Sequence, residues 1–223
     1  MRVDRTITST RQVVIKATDR IRHELSAYPF RMGKDVYMEE WSLLDRLLPV
    51  ILYHRKGCLV EIGMGVSTFF MCKHAYDFKR TVYSIDMNSE KLKKIVQTTP
   101  YYEGHKPIWT SSDEFMKVFN EPCAVVLIDG AHDYDIAKRE FEFFFGKLVE
   151  GGVIFIHDTY PPVSEGDDPA ALLTNQGCGE VWKLRRELED RRDEMEVFTW
   201  PYTAKWMGLT QVLKKEKDRP HWG

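Results

Sequence analysis

Leu59-Val60-Glu61-Ile62-Gly63-Met64-Gly65-Val66-Ser67-Thr68 is the stretch from which the rest of the chain can be read. A short apolar run carrying one carboxylate enters a turn with two glycines, and Ser67-Thr68 opens a helix. Beyond it a second apolar run, Val82-Tyr83-Ser84-Ile85, closes on Asp86. A strand, a glycine turn, a helix start and a second strand ending in a carboxylate make a nucleoside-binding half-site. The glycines let the backbone pass close to a bulky ligand, and the carboxylate can accept hydrogen bonds from both ribose hydroxyls. The expectation is a protein that works on, or with, an adenosine-bearing cofactor.

Outward from this stretch, strands and helices alternate from Cys58 to Ile156. Strands are expected at Cys58–Ile62, Thr81–Ile85, Pro107–Thr110, Ala124–Ile128 and Val153–Ile156, each short, apolar and rich in β-branched residues. Helices should begin after Ser67-Thr68, Asn88-Ser89, Ser111-Ser112 and Tyr134-Asp135, the third behind the capping box Ser111-Ser112-Asp113-Glu114. The fourth carries Ala137, Phe141, Phe144, Phe145 and Leu148 on one side, with Gly151-Gly152 as its end. Alternation of this kind predicts an α/β domain whose mostly parallel sheet has helices on both faces.

Residues 1–57 read as an N-terminal helical extension: a packing helix pair, a lid over the site or a dimer contact. A helix behind the capping box Ser9-Thr10-Arg11-Gln12 puts Val14, Ala17, Ile21 and Leu25 on one face, and 28–33 is a break. A second helix runs from Val36 to Leu48 with Met38, Trp41, Leu44 and Leu48 inward and Pro49 disturbing its end. After Asp158, residues 159–179 read as a loop over the strand ends and Glu180–Glu194 as a charged helix with Glu187 and Arg191 paired. Strand-like Glu196–Trp200 and Gly208–Leu213 follow, and 215–223 is a frayed tail.

The bulk properties narrow the function. A chain of 223 residues, 43% hydrophobic and 30% charged, can bury the core of one globular domain. A formal charge of −2 argues against a general nucleic-acid binder, leaving only a local basic patch. Cys58, Cys72, Cys123 and Cys178 form no C-x-x-C pair, and no apolar run approaches the ~20 residues of a membrane span. With no signal-peptide pattern, free thiols in a cytoplasmic protein are expected.

In an open parallel sheet, ligands sit beyond the carboxyl ends of the strands. The informative residues fall there: Glu61 to Gly63, Asp86, Ser111 to Asp113, Asp129-Gly130-Ala131-His132 and His157-Asp158. A nicotinamide fingerprint wants a third glycine, yet that register holds Thr68. Glu61 would also sit poorly beside a pyrophosphate, whereas it suits a ligand with an amino group and a sulfonium. Electrostatics favours S-adenosylmethionine over NAD.

From Val36 to Lys214 the chain resembles the class I S-adenosylmethionine-dependent methyltransferases, and most of all their small-molecule O-methyltransferase-like group. The matching motifs are Glu61-Ile62-Gly63-Met64-Gly65-Val66-Ser67-Thr68, Ile128-Asp129-Gly130-Ala131-His132-Asp133-Tyr134, and Gly151-Gly152 leading into Ile156-His157-Asp158. The resemblance implies a Rossmann-like seven-stranded sheet with a reversed last strand, making one antiparallel pairing, within a domain spanning 58–214. It places the amino-acid part of the cofactor on the Glu61, Gly63, Met64, Gly65, Ser67 and Thr68 turn. Asp86 would take the ribose, with Met87 beside the adenine. Where the family often has Gly-Asp-Ser this chain has Thr110-Ser111-Ser112-Asp113, so Ser112 or Asp113 would supply the adenine contact.

Methyl transfer to a hydroxyl needs its proton removed. Asp129, His132, His157 and Asp158 are the expected catalytic group, with either histidine as base. Some relatives bind a divalent cation such as Mg2+ at positions equivalent to Asp129, His157 and Asp158, though a histidine suits that hard ion poorly. Equally plain roles stay open: His132 anchoring its loop, Asp158 capping the loop after it, Trp182, Trp200 and Trp206 packing, Cys178 filling a loop. The expected activity is methyl transfer to a small-molecule hydroxyl. A different nucleotide-cofactor enzyme, such as a dehydrogenase or hydroxylase-like relative, and a non-catalytic cofactor-binding module are the alternatives.

Overall fold

The computed structural model describes residues 38–99, 102–160, 179–200 and 208–216. The expected first helix, the break at 28–33, most of the 159–179 loop, Cys178 and Trp206 lie outside them. The elements are α1 (Met38–His54), β1 (Cys58–Ile62), α2 (Val66–Phe78), β2 (Val82–Asp86), α3 (Ser89–Thr98), β3 (His105–Trp109), α4 (Ser112–Val118), β4 (Cys123–Ile128), α5 (Tyr134–Lys147), β5 (Leu148–His157), α6 (Val181–Glu189), β6 (Met195–Trp200) and β7 (Leu209–Lys214).

The strands form one seven-stranded sheet in the order β3-β2-β1-β4-β5-β7-β6. β1 and β4 are buried along their whole length, as strands covered on both faces must be. Alternation sorts their side chains. Val60, Ile62, Val126 and Ile128 pack with Phe115, Phe141, Phe144 and Leu184 of α4, α5 and α6. Leu59, Val125 and Leu127 pack with Trp41, Leu44, Leu48, Phe69 and Phe70 of α1 and α2. α1 is therefore part of the core under one sheet face.

Local differences from the sequence reading have physical causes. Pro49 lies inside α1, which runs on to His54. An internal proline costs a helix about 3 kcal/mol, but burial of Leu44, Leu48 and Leu52 at 0–1% exposure offsets this at about 1.5–3 kcal/mol each. β3 begins at His105, two residues earlier than expected, and Pro107 is tolerated because β3 is an edge strand. Gly151-Gly152 does not end α5; the helix stops at Lys147, and the glycines sit inside β5, whose pairing with β4 shifts register there. Glu187 bonds Lys138 at 2.7 Å and Tyr134, while Arg191 turns to Glu142. The i,i+4 pair is thus replaced by tertiary partners, and α6 itself ends at Glu189. β7 inserts between β5 and β6 and pairs antiparallel with both, giving two such pairings instead of one.

Asn88 caps α3 through bonds from the Glu90 and Lys91 amides, and Ser111 caps α4 through the Glu114 amide. Only half of the second capping box forms, because the Glu114 side chain pairs with Lys117. Cys58, Cys72 and Cys123 are free thiols. Among the described residues no helix is long and apolar enough to cross a membrane.

Candidate active site

β2 lies on one side of β1 and β4 on the other, so the chain reverses direction across the sheet at β1 and opens a crevice at the strand ends. The two glycines of the first turn serve different ends. Gly63 has φ +86°, and a Cβ there would fall 2.0 Å from the Asp129 carbonyl oxygen. It lets the tips of β1 and β4 abut, with the Asp129 amide donating to the Ile62 carbonyl at 2.8 Å. Gly65 is extended, and a Cβ there would meet no atom of the described residues within 4 Å. Its missing side chain keeps the space above the turn open.

Glu61 is fully buried and accepts from Ser67 Oγ at 2.5 Å and Thr68 Oγ1 at 2.8 Å. Burial pushes its carboxyl up to about 7, against the pull of bonds from Ser67, Thr68 and Ser84. Thr68 Oγ1 also accepts from the Gly65 amide at 3.0 Å. Glu61, Ser67 and Thr68 therefore build the turn from inside, and Met64 is buried with them. The sequence reading set these four against the cofactor. In this structure all four are buried, and the Ser67 and Thr68 hydroxyls fold back onto the Glu61 carboxylate.

A cavity of about 260 Å³ opens between the ends of β1, β2 and β4 and the start of α4. Gly63, Asp86, Met87, Ser112, Asp113 and Asp129, six of the expected residues, line it. Asp86 is held rigidly: its Oδ2 accepts from the Met64 amide at 3.0 Å and its Oδ1 from the Asn88 amide at 2.8 Å. Lys91 lies 3.2 Å from Oδ2. Met87 is 72% exposed at the rim, its carbonyl accepting from the Trp109 indole at 2.9 Å.

Beside the cavity, β4 and β5 end in a cluster of imidazoles and carboxylates. His157 Nδ1 lies 3.1 Å from both Asp129 Oδ1 and Asp158 Oδ1, and His132 Nε2 lies 2.9 Å from Asp158 Oδ2. The His157 ring stacks on Trp41 of α1, centroids 5.2 Å apart. Asp158 adopts φ +59°, a left-handed conformation that aspartate tolerates better than most residues. Burial would raise its carboxyl, but bonds and charge from His132 and His157 outweigh it and hold Asp158 well below the usual range. The bond to Asp158 raises His132 against the opposing effect of burial. The His132 carbonyl also accepts from the Glu180 amide at 2.9 Å, so the residue anchors its loop as well as facing the cluster. Asp129, His132 and Asp158 bring one ligand atom each within 4.8 Å of one another. The sequence reading had His157 in that trio; its Nδ1 lies between the two aspartates instead.

Three residues of the site escaped the sequence reading. Lys91 reaches Asp86 from α3 and carried no signal. Trp41 was assigned only a packing role. Glu140 lines the cavity from α5, and its signal was present: a carboxylate between Ala137 and Phe141 on an otherwise apolar face.

The cavity and its residues fit a nucleoside: a fixed carboxylate, an exposed thioether at the rim and a glycine cradle without side chains. Its volume is just below the roughly 300 Å³ at which small-molecule pockets begin. Residues 60–159 match a family model described as a methyltransferase domain. The fold is similar to the SAH-bound methyltransferase PaMTH1 of Podospora anserina, with TM-score 0.62, 15% identity, and 97% of this chain and 99% of that one covered. It is also similar to an O-methyltransferase from Bacillus cereus in complex with SAH, at TM-score 0.61, 15% identity and coverages of 88% and 91%. The N-methyltransferase NodS from Bradyrhizobium japonicum gives TM-score 0.55, 14% identity and coverages of 82% and 99%. No curated protein matches the chain at the sequence level. Residues 60–159 thus match a methyltransferase domain, and the seven-stranded fold around them is similar to that of the SAH-bound methyltransferases.

Proposed function

We propose that this chain is an S-adenosylmethionine-dependent methyltransferase acting on a hydroxyl oxygen of a small molecule, with the cofactor's nucleoside in the cavity between β1, β2 and α4. The single observation that carries the reading is that Asp129 both lines that cavity and contacts His157 of the imidazole–carboxylate cluster. Cofactor pocket and proton-handling groups therefore meet at one residue.

When bound, the cofactor supplies an electrophilic methyl on a cationic sulfur. Asp86 would hold the ribose hydroxyls, and Met87, Ser112 and Asp113 would border the adenine. The Glu61-braced turn carries Gly65, whose open backbone admits the amino-acid part. Asp129, at the cavity wall, would place its carboxylate beside the cationic sulfur. Asp158, held ionised, fixes the Nε2 proton of His132 and leaves Nδ1 as the atom that takes the acceptor's proton. His157, wedged between Asp129 and Asp158 against Trp41, keeps both carboxylates in place.

A second reading rests on the spacing of Asp129, His132 and Asp158. That mixed oxygen and nitrogen set would hold a divalent transition ion such as Mn2+ in preference to Mg2+, and the ion would acidify a hydroxyl bound to it. Methyl transfer from S-adenosylmethionine to a panel of hydroxyl, amine and RNA acceptors, each with and without EDTA, tests both readings. Turnover of hydroxyl compounds unaffected by chelator is the expected result. Turnover of amines or RNA alone refutes the acceptor, and abolition by EDTA transfers the proton-handling role to the ion.

A further inference from the structure

Glu140 is out of place on its helix. Its neighbours along the inner face of α5, Ala137, Phe141 and Phe144, are wholly buried in the core, and Glu140 itself is only 1% exposed. A buried carboxylate normally finds partners, since an unsatisfied charged group is costly. Among the described residues Oε2 has no hydrogen-bond partner, and Glu140 lines the cavity with Asp86, Met87, Ser112 and Asp113. The Ser112 hydroxyl bonds to the carboxyl group, which fixes its orientation. A buried oxygen without a described partner, on a residue that borders a cavity the size of a nucleoside, points to a partner that arrives with the ligand.

The Glu140 position fits one part of the ligand. Asp86 stands at the end of β2, whereas Glu140 lies across the cavity on α5 beside Ser112, where the base would reach if the ribose is on Asp86. We propose that Glu140 reads the adenine of the cofactor, accepting from the exocyclic 6-amino group and donating to the adjacent ring nitrogen. Adenine presents a donor and an acceptor side by side on that edge, and a protonated carboxyl presents the complementary pair. Burial pushes the Glu140 carboxyl up to about 7, reinforced by Asp113 and opposed by Ser112 and Arg139, so the protonated form is well populated near neutral pH. The inference deepens the proposed function and rests on its placement of the nucleoside.

The test is calorimetric binding of S-adenosylhomocysteine and of its analogue lacking the 6-amino group, to the wild type, Glu140→Gln and Glu140→Leu. The wild type should prefer the natural compound by roughly 10- to 100-fold, the worth of a buried hydrogen-bonded pair. Glu140→Gln keeps a donor and an acceptor and should retain that preference. Glu140→Leu should bind the two compounds alike, with its thermal unfolding midpoint no lower than wild type. Preference intact in Glu140→Leu overturns the role of Glu140 while leaving the nucleoside site standing. Failure of the wild type to bind S-adenosylhomocysteine, or unchanged binding in Asp86→Ala, overturns the placement of the nucleoside, and the role of Glu140 with it.

Discussion

Alanine at Gly63 and alanine at Gly65 should have opposite consequences, although the two glycines are one residue apart in the same motif. At Gly63 an L-residue must adopt φ +86°, which costs roughly 1–2 kcal/mol. Its Cβ would also approach the Asp129 carbonyl oxygen to 2.0 Å, when real Cβ contacts essentially never fall under 3.0 Å. The tips of β1 and β4 would have to part by about 1 Å, breaking the 2.8 Å bond from the Asp129 amide to the Ile62 carbonyl. Leaving that buried pair unsatisfied adds about 1–3 kcal/mol, so Gly63→Ala should lose about 2–5 kcal/mol in total. For a chain of this size each kcal/mol lowers the melting temperature by roughly 2–4 °C. Circular dichroism should therefore show a drop of about 4–20 °C. Gly65 is extended and a Cβ there touches none of the described residues, so Gly65→Ala should melt with the wild type. Its methyl projects into the space proposed for the amino-acid part of the cofactor, and affinity for S-adenosylhomocysteine should fall roughly tenfold or more. If Gly63→Ala melts within 1 °C of wild type, the account of the β1–β4 contact is wrong.

Asp86→Ala should bind S-adenosylhomocysteine roughly 10- to 100-fold more weakly through loss of charge-assisted bonds, while near-native circular dichroism shows the fold intact; unchanged affinity removes Asp86 from the ribose. His157→Ala and Asp158→Ala should lower kcat far more than cofactor affinity, and wild-type turnover in both would dismiss the cluster from catalysis. Glu61 links pH to stability. Its carboxyl is raised in the fold from 4.5 to about 7, so its stabilising effect is complete below about 4.5, declines as pH rises, and is gone above about 7. That loss is on the order of 3 kcal/mol. Glu140 carries a shift of the same direction and size, while buried His105, pushed down to about 4, opposes both below about 6.5, so Glu61→Gln should make the fall in urea-unfolding free energy between pH 5 and 8 distinctly shallower. An undiminished slope would show that Glu61 titrates normally.

Strand and helix periodicity made the central layer readable, because the strands buried on both faces must be continuous apolar runs and glycine turns with capping residues mark the helix starts. Asp86, Asp129 and His157 were placed at the strand ends the same way, each being the first polar residue after such a run, with Asp158 next to His157. Where the reading failed, distant contacts outweighed local preference. Pro49 stays helical because Leu48 and Leu52 are buried beneath it, and Glu187 leaves Arg191 for Lys138 because α5 packs alongside α6.

The sequence by itself determined the alternating architecture, the strand ends and therefore the rim on which the site must lie, since short-range patterning is enough for these. Only the tertiary structure decided which way each polar group faces. Glu61 turns inward onto Ser67 and Thr68, Gly63 joins two strand tips while Gly65 leaves open space, and His157 wedges between two aspartates. Glu140, hidden on an apolar helix face, becomes a wall of the cavity. Those outcomes depend on atoms brought together from separate parts of the chain, and spacing along the sequence holds no record of that meeting.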